Sequence, residues 1–183
     1  KDTILQKVKD FFPNFDAQKH RIVLVNANAS ELLPQRCWPP ANYAILIQEL
    51  LERFQDVIIL CTGSPSEREG IDTIIQAVRN DRCVNFAGTT ALAELVALYS
   101  ISALMVSNDS GPAHFASVTS MPAYVLFGPE TPLLYGPLGD TTCIYANLAC
   151  SPCVSAYNHR KTSCNDNVCL QKISPEQVLD LVA

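Results

Sequence analysis

Six short runs of uninterrupted apolar residues divide this chain: RIVLVN (21–26), DVIILC (56–61), CVNF (83–86), SALMVS (102–107), AYVLFG (123–128) and TCIYA (142–146). They are rich in β-branched residues and do not alternate with polar ones. Strands buried on both faces of a parallel sheet need that pattern. A parallel sheet also needs crossovers, and the stretches between the first five runs supply them. ANYAILIQELLERF (41–54) sets Ile45, Leu46, Leu50 and Leu51 on one side of a helix, and EREGIDTIIQAVRN (67–80) and TALAELVALYS (90–100) follow suit. The βα alternation predicts an α/β fold, a doubly wound parallel sheet. Right-handed crossovers then bring strand one beside strand four, with a crevice between the loops at their C-terminal ends.

Composition narrows the function classes. Apolar residues make up 48% of the 183 and charged residues 17%, which excludes a disordered chain. The net charge of −5 and the lack of a Lys/Arg run argue against nucleic acid as partner. No apolar stretch reaches the roughly 18 residues of a transmembrane segment. The N-terminus shows no signal-peptide pattern, so the expected location is cytoplasmic, with a peripheral position at the inner face of the membrane as a further option. The chain opens at Lys1 without an initiator Met and stops at LDLVA, ends that suit an excised domain as well as a complete protein. We divide it into a linker helix region (1–20), the main α/β domain (21–147), and a Cys-rich loop with a C-terminal helix packing on that domain (148–183).

The crevice at the switch point is formed by NANASELLPQRCWP after strand one and SNDSGPAH after strand four. Ser110 or Gly111 suits a helix N-cap, with Pro112 in the first turn. Amides at such an end lack intrahelical partners and favour an anion, a phosphate among them. Asp109 would repel phosphate and better accepts from sugar hydroxyls or braces the loop. The plainer reading of the whole turn is a capped helix with an Asx turn. His114 is either structural or a donor to that phosphate. Arg36 is either solvated surface or a guanidinium bridging phosphate oxygens. In TGSPSERE (62–69), Ser66 caps a helix, or Glu67 accepts from a ribose diol. In AGTTALAEL (87–95), Thr89 or Thr90 caps the next helix or lines a base pocket. GPETPLLYGPLG (128–139) is a rigid Pro/Gly loop at the same sheet edge.

In their order, NANASELLPQRCWP, TGSPSERE, NFAGTTALAELVALY, VSNDSGPAHFA, LFGPETPLLYGPLG and CSPCVSAYNHR resemble the donor-binding half of glycosyltransferase family 9, the lipopolysaccharide heptosyltransferase family. The resemblance covers nearly everything after residue 20. It implies the Rossmann-like C-terminal half of a GT-B glycosyltransferase, which binds a nucleotide-diphosphate sugar across a cleft from an N-terminal acceptor domain. It implies donor-binding roles for Arg36 at the diphosphate, Glu67 at the ribose, Thr90 at the base, and Asp109, Ser110, Gly111 and His114 at sugar and phosphate. It implies inverting hexosyl or heptosyl transfer without a cofactor, in cell-envelope polysaccharide or lipopolysaccharide synthesis. The general base is expected on the N-terminal domain, so no residue of this chain is catalytic and the chain alone is expected to be inactive. Heptosyltransferases proper usually carry lysine where this chain has Arg36, and a shorter loop before it.

Eight cysteines are many for such a chain. Cys37, Cys61, Cys83 and Cys143 are scattered and suit a core. Cys150, Cys153, Cys164 and Cys169 cluster, with His159 between them, and read as a structural zinc or other metal site, as disulfides, or as reduced thiols in a packed loop. Two further functions stay open beside the transferase: a non-catalytic nucleotide-binding module and a metal-stapled interaction module.

Overall fold

The computed structural model describes residues 2–29 and 33–183. Six parallel strands, β1 (Arg21–Asn26), β2 (Val57–Cys61), β3 (Cys83–Asn85), β4 (Leu104–Asn108), β5 (Ala123–Phe127) and β6 (Thr141–Tyr145), form one sheet in the order β3-β2-β1-β4-β5-β6. The expected doubly wound topology is present, and β1 and β4 pair from Val23–Leu104 to Asn26–Ser107. The six apolar runs coincide with the six strands to within two residues at either end.

Two layers of helix cover the sheet, and the strands feed them with period two. Val23 and Val25 of β1 and Ile59 and Cys61 of β2 point into one core, beneath α2 (Pro40–Arg53), α3 (Arg68–Val78) and α8 (Pro175–Val182). Ile22, Leu24, Ile58 and Leu60 point into the other, beneath α1 (Asp2–Phe11), α4 (Leu95–Tyr99) and α5 (Gly111–Ala116). Two single-turn helices, α6 (Pro132–Tyr135) and α7 (Val168–Gln171), lie at the C-terminal edge of the sheet and in the Cys-rich region respectively.

Two local readings are corrected. On α2, Leu46, Leu50 and Leu51 are buried but Ile45 is 46% exposed; Tyr43, Ala44 and Ile47 complete the inward face. The helix expected over 90–100 is a 3₁₀ turn (Leu92–Glu94) followed by α4 alone. Glu94 carries the reason: its carboxylate accepts from Ala91 N–H and twice from Lys7 Nζ, at 2.8, 2.9 and 2.7 Å. Those bonds tie the turn to α1. In the 1–20 segment, Ile4, Val8 and Phe15 are buried in the second core.

Candidate functional site

The loops leaving β1 and β4 meet because two buried asparagines stitch them together. Asn108, at the end of β4, accepts on Oδ1 from Trp38 N–H and the Tyr43 hydroxyl, both at 2.9 Å. Its Nδ2 donates to Ala27 O at 2.9 Å and to Asn28 O at 3.3 Å. Asn26, at the end of β1, donates from Nδ2 to Thr62 O at 3.1 Å, joining the loop after β2. Trp38 is fully buried, its indole N–H bound to Ile173 O at 2.9 Å. Buried amides and indoles are held in place by such complete pairing. Sequence reasoning passed over Asn108; its signal was an amide at the C-terminal end of a buried strand, where loops must be tied.

Above these loops opens a cavity of about 440 Å³, lined by Glu67, Thr90, Ser110 and Gly111 among the predicted residues, and by Asn28 and Gly63. Gly63 allows the close approach: a Cβ there would lie 2.7 Å from Asn28 Nδ2 and 2.9 Å from Ile71 Cδ1. Ser110 is the N-cap of α5, with extended backbone (φ −154°, ψ 168°), and Pro112 is in the first turn. Gly111 is different from Gly63. Among the described residues, a Cβ built on it would meet no atom within 4 Å outside its chain neighbours and its own helix backbone, and Gly111 lines the cavity. Glu67 has a structural duty as well: its Oε2 accepts from Ser64 N–H at 2.6 Å, so Ser64 rather than Ser66 begins the turn before α3.

Arg36 is not solvated surface. Its side chain is 15% exposed, and Nη1 donates to Asp109 O at 3.3 Å and to Glu130 Oε2 at 3.2 Å, with Asp109 Oδ2 at 3.6 Å. Glu130, in the loop after β5, is 2% exposed and was missed in the sequence, where an acid between prolines reads as surface. Two buried carboxylates thus share one guanidinium. Burial, with the Glu130 carboxyl close by, pushes Asp109 up to about 7, although Arg36 pulls the other way. Among the described residues, Arg36 Nε, Asp109 Oδ2 and Glu130 Oε1 are buried without a hydrogen-bond partner. His114 is exposed on α5, and neither it nor Arg36 nor Asp109 is among the residues lining this cavity.

The Cys-rich segment packs against the same edge. Cys153 and Val154 N–H both donate to Pro129 O at 2.9 Å, and Ser151 Oγ donates to Gly128 O. The four clustered cysteines do not form the expected ligand set. All are free thiols, and among the described residues no group of three or more His, Cys, Asp or Glu is arranged to hold a metal ion. The reason is local: Cys150 is exposed, Cys164 Sγ turns to Asp166 O at 2.9 Å, and Cys169 is buried against Gly128. His159 is exposed, at φ 53°. Cys61 and Cys83 are core thiols with their sulfurs 3.9 Å apart.

Residues 3–163 match the family model for glycosyltransferase family 9 (heptosyltransferase). The chain belongs to glycosyltransferase family 9. It is 30% identical over 128 residues to lipopolysaccharide heptosyltransferase 2 of Salmonella typhimurium, a stretch covering 68% of this chain and 36% of that protein. Its fold matches that of E. coli ADP-heptose lipopolysaccharide heptosyltransferase II with a TM-score of 0.74 and 24% identity, over 96% of this chain and 48% of the other. An E. coli heptosyltransferase solved with ADP matches with a TM-score of 0.66 and 16% identity, over 96% of this chain and 48% of the other. The chain therefore spans between a third and a half of the length of these relatives, and its sheet and helices have the Rossmann-like fold of one half of the GT-B heptosyltransferase structures. Among the described residues no helix is long and apolar enough to cross a membrane.

Proposed function

We propose that this chain is the donor-binding half of an inverting glycosyltransferase and holds a nucleoside-diphosphate sugar in the cavity at the β1–β4 switch point. The observation that carries the reading is that Ser110 and Gly111, at the start of α5, line one cavity with Glu67 and Thr90, while Arg36 is bonded to Asp109, the residue just before that cap. The base and ribose belong on the β2–β3 side, where Thr90 and Glu67 line the wall. The diphosphate lies over β1 and β4, and the sugar extends towards Asp109 and the loop after β5. ADP is the first candidate, since one relative is named for ADP-heptose and another was solved with ADP.

In this reading an acceptor hydroxyl attacks the anomeric carbon from the side opposite the diphosphate. The bond to the leaving oxygen breaks and the diphosphate takes the electron pair. Amide donors and a guanidinium already in position stabilise the charge that develops, which is where a fixed site gains most over water. Asp109 accepts from the sugar's hydroxyls. The proton of the acceptor hydroxyl goes to a base supplied by an acceptor-binding half, so this chain alone transfers no sugar. The acceptor is a cell-envelope polysaccharide or lipopolysaccharide precursor, presented at the cytoplasmic face of the membrane.

Calorimetric titration with ADP, UDP and GDP tests the reading. Binding of one of them, weakened about 10- to 100-fold by Arg36→Met as expected for loss of a charged hydrogen bond, supports it. Failure of all three to bind overturns it, and favours an interaction module on the same fold.

A further inference from the structure

Glu130 lies outside the cavity wall and was not among the residues the family pattern pointed to, yet it is one of the most thoroughly buried charged side chains of the chain. A carboxylate in such a place needs cations. It has two, from different loops. Oε2 accepts from Arg36 Nη1 at 3.2 Å, from the turn after β1. Oε1 faces Arg160 Nε at 3.7 Å, from the Cys-rich segment. The Arg160 guanidinium also lies over the Tyr135 ring, 5.3 Å from its centroid, which keeps it at this edge although the side chain is 54% exposed. Arg36 spends only Nη1 on the acids and keeps Nε without a partner among the described residues. That Nε is buried, so an anion meets the guanidinium through the 15% of the side chain that stays exposed.

We propose that Glu130 is a positioning residue for the donor's diphosphate, holding Arg36 on one carboxylate oxygen and drawing Arg160 in on the other, so that two guanidiniums flank the leaving group. The inference rests on the donor-site reading above and deepens it. It also gives the Cys-rich segment a task, since its hydrogen bonds to Gly128 and Pro129 set the distance between Arg160 and Glu130. The charged and titratable groups of the cluster are Arg36, Asp109, Glu130 and Arg160, with Cys143 of β6 close enough to feel the Asp109 charge. With Asp109 holding a proton the cluster carries one net positive charge; with Asp109 ionised it carries none.

The test uses the full chain and calorimetry with ADP, and with adenosine as the control that lacks phosphate; UDP and uridine, or GDP and guanosine, replace them if the wild type prefers that base. Glu130→Gln is expected to weaken the diphosphate about ten-fold, as for one charged hydrogen bond, and to leave the nucleoside unchanged. In an Arg36→Met/Arg160→Met background the same substitution should have no further effect. Unchanged or tighter diphosphate binding in Glu130→Gln, the result expected if the carboxylate merely repels the anion, overturns the inference and leaves the donor site standing. So does an equal loss in the background without the two arginines. If no nucleoside diphosphate binds the wild type, the donor-site reading itself fails and this inference with it. Should Glu130→Gln not fold, the side-chain N–H resonances of Arg36 and Arg160 in the wild-type chain decide: both shift on adding the diphosphate, and a spectrum in which either stays put overturns the pairing.

Discussion

Substitution of Gly111 separates binding from folding more sharply than any other change at the site. Gly111 is the first residue of α5, its backbone lies outside the left-handed region, and a Cβ there meets no side chain or distant backbone of the described residues within 4 Å. The folded chain has no need of a glycine at that point. Gly111→Ala should then stabilise by about 0.4–1 kcal/mol, because the unfolded chain loses conformational freedom while the native one loses no contact. For a domain of this size that is a rise of roughly 1–4 °C in Tm. The same open space is where the proposed diphosphate meets the amide. Gly111→Val puts a branched side chain in it and removes one or two charged hydrogen bonds, about 1.5–3 kcal/mol each, or at least a ten-fold loss of ADP affinity. Thermal denaturation and calorimetry on the same preparations read the two effects. Destabilisation by Gly111→Ala would refute the backbone argument. Wild-type ADP affinity in Gly111→Val would refute the placement of the diphosphate.

Two more perturbations follow from the same geometry. Asp109 has a folded-state pKa raised to about 7, so the folded chain keeps a proton that the unfolded chain gives up from about pH 4. Stability is therefore complete at low pH, falls as pH rises, and levels off above 7. Asp109→Asn removes the loss, and should stabilise by on the order of 2 kcal/mol more at pH 8 than at pH 4.5; urea melts giving the same difference at both pH values would count against it. Asn108→Ala leaves Trp38 N–H, the Tyr43 hydroxyl and Ala27 O without their partner. We expect a cost of about 3 kcal/mol, seen as a lower urea midpoint with an unchanged slope, and a cost below about 0.5 kcal/mol would deny Asn108 its central place.

The sheet was legible because its strands are buried on both sides. Continuous apolar runs such as VIIL need no alternation to be recognised, and handedness leaves few orders for six of them. The loops at the switch point were legible for the same reason, as they must emerge where β1 and β4 lie side by side. What escaped was the polar chemistry beneath the loops. Arg36 read either as surface or as a phosphate ligand; the acids that hold it, Asp109 and Glu130, come from 73 and 94 residues away. Glu130 sits in a Pro/Gly segment that looks solvent-facing until the Cys-rich segment folds over it. Ile45 and the shortened 90–100 helix show the limits of period counting, since one is decided by the rim of a helix face and the other by a lysine on α1. The cysteines failed as a ligand set because spacing along the chain says nothing about where a thiol turns. Cys164 satisfies itself within its own loop.

The most direct measurement is a crystal structure of the chain with bound ADP. The account predicts the diphosphate within hydrogen-bond distance of the Gly111 amide and of the Arg36 guanidinium, with the ribose beside Glu67. Nucleotide seated in the adjoining cavity beside Trp38 and Ile74, with no contact to the Gly111 amide, would contradict it.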